Sequence, residues 1–160
     1  MRTLRRGLAV LLVFGFSAAL AAGVVYSASA DQVVAALKAN GYKKITVSGA
    51  AAGSPVISID LGDGYLAEIS FYNDDKRRGG FESLRISAET SVDWQISTDD
   101  VNDWNAFNRY AKAYVQNGSD ITLASDLDLS GGVVLKSTIG SFMKDFMEAF
   151  DAFQSELIGQ

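Results

Sequence analysis

The sequence predicts an α+β domain, an antiparallel sheet of about five strands packed with three helices. Three observations carry this. Between residues 45 and 129, short runs alternate apolar with polar residues, the pattern of strands with one buried face. At both ends of the folded region and near residue 100 the apolar spacing changes to three and four, the pattern of helices buried along one stripe. Glycine-bearing breaks separate the runs, and the chain holds 15 glycines but one proline.

Ahead of the domain, residues 1–30 read as a secretory signal. Arg2, Arg5 and Arg6 form a basic start, Gly7 to Tyr26 are apolar and uncharged, and Ala28-Ser29-Ala30 offers small residues to a signal peptidase. Cleavage after Ala30 is the first reading, which gives a mature domain of residues 31–160; Ala22 is a second site, and an uncleaved anchor over Gly7 to Tyr26 a third. Arg5-Arg6 lacks the Ser or Thr directly before a twin-arginine pair, so general secretion is expected. The chain is therefore expected in the periplasm of a bacterium or outside it.

In the mature part, Asp31 opens a short helix with Val33, Val34 and Leu37 on one face, and Asn40-Gly41 closes it. Strand runs follow at Ile45 and Val47, at Ile57, Ile59 and Leu61, at Tyr65 to Phe71, at Leu84 to Ala88, and at Val92, Trp94 and Ile96. Gly62-Asp63-Gly64 marks a tight hairpin, and the charged stretch Asn73 to Gly80 a hairpin tip. Ser97-Thr98-Asp99-Asp100 caps a second helix expected to run to about Gln116, its apolar face holding Val101, Trp104, Phe107, Ala111, Tyr114 and Val115. Ile121 to Leu129 alternate as a strand. The last helix has the cleanest periodicity, with Ile139, Phe142, Phe146, Phe150, Phe153 and Leu157 advancing by three or four.

Composition removes most chemistry. With no cysteine and no histidine in 160 residues there are no disulfides, no thiolate or imidazole metal sites and no Ser/His/Asp or Cys/His nucleophile. The formal net charge is −5; the leader carries three arginines and no acid, so its removal leaves −8. An acidic surface disfavours nucleic acid and anionic lipid, so neither nucleic-acid binding nor stable membrane association after cleavage is expected.

Few candidate sites remain. Lys76, Arg77 and Arg78 concentrate positive charge and can grip a partner's carboxylate or phosphate, although Asp74 and Asp75 stand beside them. Trp104, Phe107, Tyr110 and Tyr114 along the second helix, and Phe146 on the last, are candidate pocket-lining residues, with core as the plainer reading. Asp126-Leu127-Asp128-Leu129-Ser130-Gly131 resembles half of a calcium loop, but Ser137 stands where the bidentate glutamate is needed, so no metal is expected. Asp99, Asp100 and Asp103 crowd a helix start, which explains them without catalysis. No residue is expected to be catalytic, and no cofactor is expected.

Trp104-Asn105 is followed by Asn108-Arg109-Tyr110-Ala111-Lys112-Ala113-Tyr114, then Asp126-Leu127-Asp128-Leu129 with Gly131-Gly132-Val133, then the phenylalanine-studded last helix. In that order and spacing the second half of the chain resembles the YbjN domain family of bacteria; the first half matches it only in its pattern of helix, strands and hairpin. The resemblance implies a fold like the type III secretion chaperones, helices on a curved antiparallel sheet. It also implies a regulatory role with no enzymatic activity. Together these readings give an exported, non-enzymatic domain that binds a protein or peptide along a sheet surface or helix groove, with a homodimer as an allowed form. The alternative is a small-molecule or lipid-binding module using the space between the sheet and the helices at Trp104 and Phe146.

Overall fold

A computed structural model describes residues 23–49 and 53–159; most of the leader, residues 1–22, lies outside the described residues. In chain order come strand β1 (Val24–Val25), helix α1 (Ala30–Ala39), and strands β2 (Ile45–Gly49), β3 (Pro55–Gly62), β4 (Tyr65–Asp75) and β5 (Gly80–Ser91). Helix α2 (Thr98–Phe107), strands β6 (Lys112–Val115), β7 (Asp120–Asp128) and β8 (Val133–Val134), and helix α3 (Leu135–Ala152) follow, the last continuing as a π-helical stretch over Phe153–Ile158. Strands β2 to β7 form one antiparallel sheet in the order β2-β3-β4-β5-β7-β6, and β1 pairs with β8 apart from it. The expected α+β class and three helices are present, with six strands in the main sheet.

One face of that sheet is the core. Ile57, Ile59, Ile69, Leu84, Ile86, Ile121 and Leu123 are all buried, and against them lie Ile139, Phe142, Met143, Phe146 and Phe150 of α3. The three-and-four spacing read from α3 is thus the stripe that the helix buries, and Phe153 and Leu157 extend it through the π-helical stretch. Helix α1 rests on α3, where Asn40 donates from Nδ2 to the carbonyl of Lys136 at 2.9 Å and leaves no room for a side chain at Gly140. The β3–β4 hairpin turns on Asp63 and Gly64, both at positive φ (50° and 86°), which matches the twist of the flanking strands.

Two elements differ from the sequence expectation. The second helix stops at Phe107 rather than near Gln116, because Asn108 turns to extended backbone (φ −100°, ψ 118°) and residues 112–115 become the edge strand β6. Ala111, Ala113 and Val115 fit period two as well as a helical stripe, and pairing with β7 decides between them. Residues 92–96 alternate as expected but form no strand: the N–H groups of Val92 and Ile96 donate to the carbonyls of Ser119 and Gly118 in the β6–β7 loop.

Of residues 24–30, assigned to the leader by sequence, Val24–Val25 form β1, Ala28 bridges to Phe81 and Ala30 begins α1. Ser29 is the N-cap of α1 and forms a capping box with Gln32.

Candidate functional site

The basic tip between β4 and β5 is organised around Asp75, whose side chain is 5% exposed. Its carboxylate accepts from the backbone N–H groups of Arg77 and Arg78 and from Arg78 Nη1 at 2.8 Å. Burial alone would raise the Asp75 carboxyl; these donors outweigh it and hold the group below the usual carboxylate range. Arg78 also lies over the Tyr26 ring, 5.2 Å from its centroid, and 3.7 Å from Glu82. Of the three expected partner-binding residues, all are exposed; Arg78 and, at 3.9 Å, Arg77 pair with Asp75, while Lys76 has no ion pair among the described residues.

Trp104, Phe107 and Phe146 are not brought together on a wall. Trp104 is buried and meets Phe153 edge to face at 6.1 Å; Phe146 is fully buried and stacks on Phe150. Phe107 corrects the expected stripe: it ends α2 and is 87% exposed. The indole N–H of Trp104 is buried without an acceptor. Among the described residues no cluster of acids converges as a metal site. Asp126 instead forms a bidentate pair with Arg85 at 2.8 and 2.9 Å, and Asp128 accepts from the N–H of Ser130. The hydrogen bond to Asp126 raises the Arg85 guanidinium still further. Ser97 caps α2 through the N–H of Asp99, the structural role expected for that acidic cluster.

A different arrangement stands at the start of β6. Gln116 donates from its backbone N–H to the carbonyl of Asp120 at 2.8 Å, which makes these two a hydrogen-bonded pair. Alternation along an antiparallel ladder then turns the N–H and C=O groups of Thr122 and Ala124 toward β6, and those of Asp126 and Asp128 into the space beyond it. Strand β6 does not reach that far, because its ladder begins at the Lys112–Ala124 pair. Ahead of Lys112 the chain bends off, with Ser125 Oγ donating to the carbonyl of Tyr110 at 2.5 Å.

The outer edge of β6 is closed instead. Asn105 on α2 uses its side-chain amide as a substitute strand, accepting from the N–H of Ala113 and donating to its carbonyl, both at 2.8 Å. Lys112 Nζ ties the same corner by donating to the carbonyls of Asn105 and Asn108.

Around the free stretch of β7 lie two adjoining clefts. One, of about 520 Å³, is lined by Arg109, Tyr110, Asp126, Leu127, Ser141 and Phe142 among others, and so runs between β7 and α3. The other, of about 430 Å³, shares Arg109, Tyr110, Ser125 and Asp126 and reaches Arg85 and Tyr114 on the open face of the sheet. No ion pair holds Arg109 among the described residues. Sequence reasoning named Tyr110 and Tyr114 as pocket-lining but set them on one helical stripe with Trp104 and Phe107, and it missed Arg109 because it placed that residue inside the same helix. The available signal was the period-two spacing of Ala111, Ala113 and Val115.

No curated protein sequence matches the chain. Among solved structures it aligns with the Yersinia pestis type III secretion chaperone SycH, crystallised in complex with a stable fragment of YscM2, over 78% of this chain and 99% of that one, at 10% identity and a TM-score of 0.47. The family model YbjN, described as "Putative bacterial sensory transduction regulator", matches residues 29–159, which takes in every element from α1 to the π-helical stretch. The chain belongs to the YbjN family.

Proposed function

We propose that the chain is an exported, non-enzymatic domain that binds a protein partner by taking an extended segment of it as an added strand on β7. The observation that supports this is the free Asp126–Asp128 edge inside a walled cleft. Strand addition needs unpaired backbone donors and acceptors for affinity and flanking walls for alternate side chains. Here one side of an added strand would meet Leu127 and Phe142, and the other the Arg85–Asp126 pair and Tyr114. Arg109 at the mouth suits a carboxylate on the segment.

Among the described residues β2 is also an edge strand, but its residues are largely exposed, so an added strand there would gain backbone bonds with little side-chain burial. The rival small-molecule reading needs room between the sheet and the helices at Trp104 and Phe146, where Phe150 and Phe153 already stack. Export rests on the basic start at Arg2, Arg5 and Arg6 and the apolar run after it. A chain without cysteine suits an oxidising compartment, since it cannot be misjoined there.

The test is amide hydrogen exchange by NMR on the domain saturated with a peptide selected from an array of extended segments. Slowed exchange at Asp126 and Asp128 is expected. Protection confined to Ile45–Gly49, or an array that yields no binder, would overturn the reading.

A further inference from the structure

Residues 24–29 are built into the fold at six points. Val24 and Val25 pair with Val134 and Val133. The Tyr26 ring carries the Arg78 guanidinium, and with Val24 it occupies the place a side chain would take at Gly132, where an added Cβ would meet them at 2.8 and 2.9 Å. Ala28 has no exposed surface and exchanges two backbone hydrogen bonds with Phe81, both 3.0 Å. Gly80 lies so near that a Cβ there would stand 2.8 Å from the Ala28 carbonyl carbon. Ser29 supplies the cap and half of the capping box of α1.

A cut after Ala30 would remove all of these. It would also place a new ammonium group directly at the N-terminal end of α1, where the helix dipole disfavours positive charge. Signal removal accompanies export and precedes folding, so the constraint is on what the product can build rather than on access to the bond.

We infer that the leader is removed ahead of Gly23, with Ala22 at the cut, and that residues 23–29 are the first folded strap of the exported domain. Water adds across the Ala22–Gly23 amide, leaving a carboxylate on Ala22 and an ammonium on Gly23. Ala22 supplies the small residue directly before the bond, at the end of the strongest apolar stretch, although Leu20 stands two positions earlier where a second small residue is preferred. This inference rests on the export part of the proposed function.

The experiment is intact-mass measurement of the full chain expressed with its own leader in a bacterial host, recovered from outside the cytoplasm, beside Ala22→Gln and Ala30→Gln. The expected product begins at Gly23, Ala22→Gln accumulates precursor, and Ala30→Gln is processed as the parent is. A product beginning at Asp31, or a block caused by Ala30→Gln and not by Ala22→Gln, overturns the cut site while leaving export standing. A chain that keeps Met1 and stays in the cytoplasm overturns both; one that keeps Met1 in the membrane overturns the cut alone.

Discussion

The β4–β5 tip and the bend ahead of β6 both present arginine to solvent, but the arginines of the tip are paired and that of the bend, among the described residues, is not. At the tip, Asp75 and Glu82 take up Arg78, and the Tyr26 ring covers it. At the bend, Arg109 has no such partner among the described residues and stands beside backbone groups that no described strand uses. The denser run of charge is the more self-sufficient. A cluster of like charges next to carboxylates is mostly satisfied internally, whereas a lone arginine where a strand ends early keeps its capacity for a partner.

The largest effect should come from the scaffold that holds both places. Phe146 is fully buried at the centre of the α3 stripe, so Phe146→Ala should cost about 3–5 kcal/mol in denaturant melts. Both the tip and the bend should then lose exchange protection together. A loss well under about 1 kcal/mol would mean the two places do not share a core.

Next, Gly80→Ala should break the tip alone. The added Cβ meets the Ala28 carbonyl carbon at 2.8 Å and its nitrogen and oxygen at 3.0 Å, and backbone cannot swing aside as a flexible side chain can. A cost of about 1–3 kcal/mol is expected by thermal unfolding, with the β7 edge unaltered. Unchanged stability would mean that the Ala28 strap does not lie where these contacts put it.

Acid should separate the two regions as well. The folded-state pKa of Asp75 lies below its ordinary value, so its contribution to stability is present above the unfolded value and is lost as pH falls through the folded one. Asp75→Asn should therefore destabilise fully from neutrality down to about pH 4, and the gap from the parent should narrow as melts are taken further into acid. A gap that stays constant would assign the Asp75 contribution to shape rather than charge. Asp60, Asp120 and Asp128 are also held low, each by hydrogen bonds, so the parent itself loses stability in acid and only the difference isolates Asp75.

These contrasts explain what the sequence could say. Strong periodicity was legible wherever one period had no competitor: the α3 phenylalanines and the β3, β4, β5 and β7 runs lie where the alternation put them. It misled where two periods overlapped, over residues 111–115, and where alternation met a loop rather than a strand, over residues 92–96. The basic tip was visible as composition, but that Asp75 and Tyr26 consume Arg78 depends on contacts up to 52 residues apart in the chain. The β7 edge was invisible, since it is defined by where its neighbour stops.

The smallest effect on stability should discriminate best between the two arginines. Arg77 and Arg109 are both exposed, so Arg77→Ala and Arg109→Ala should each change stability by no more than about 0.5 kcal/mol. Binding of the array-selected peptide should divide them. Loss of Arg109 removes a charge-assisted contact at the cleft mouth and should weaken the peptide about tenfold, with Arg109→Lys recovering part of the loss through charge without the bidentate fork. Arg77→Ala should leave affinity as it was, because Arg77 lines neither cleft. Fluorescence titration of the three variants at matched ionic strength measures this. If Arg77→Ala weakened the peptide and Arg109→Ala did not, the binding surface would belong at the tip, and the free edge of β7 would be an ordinary solvated strand end.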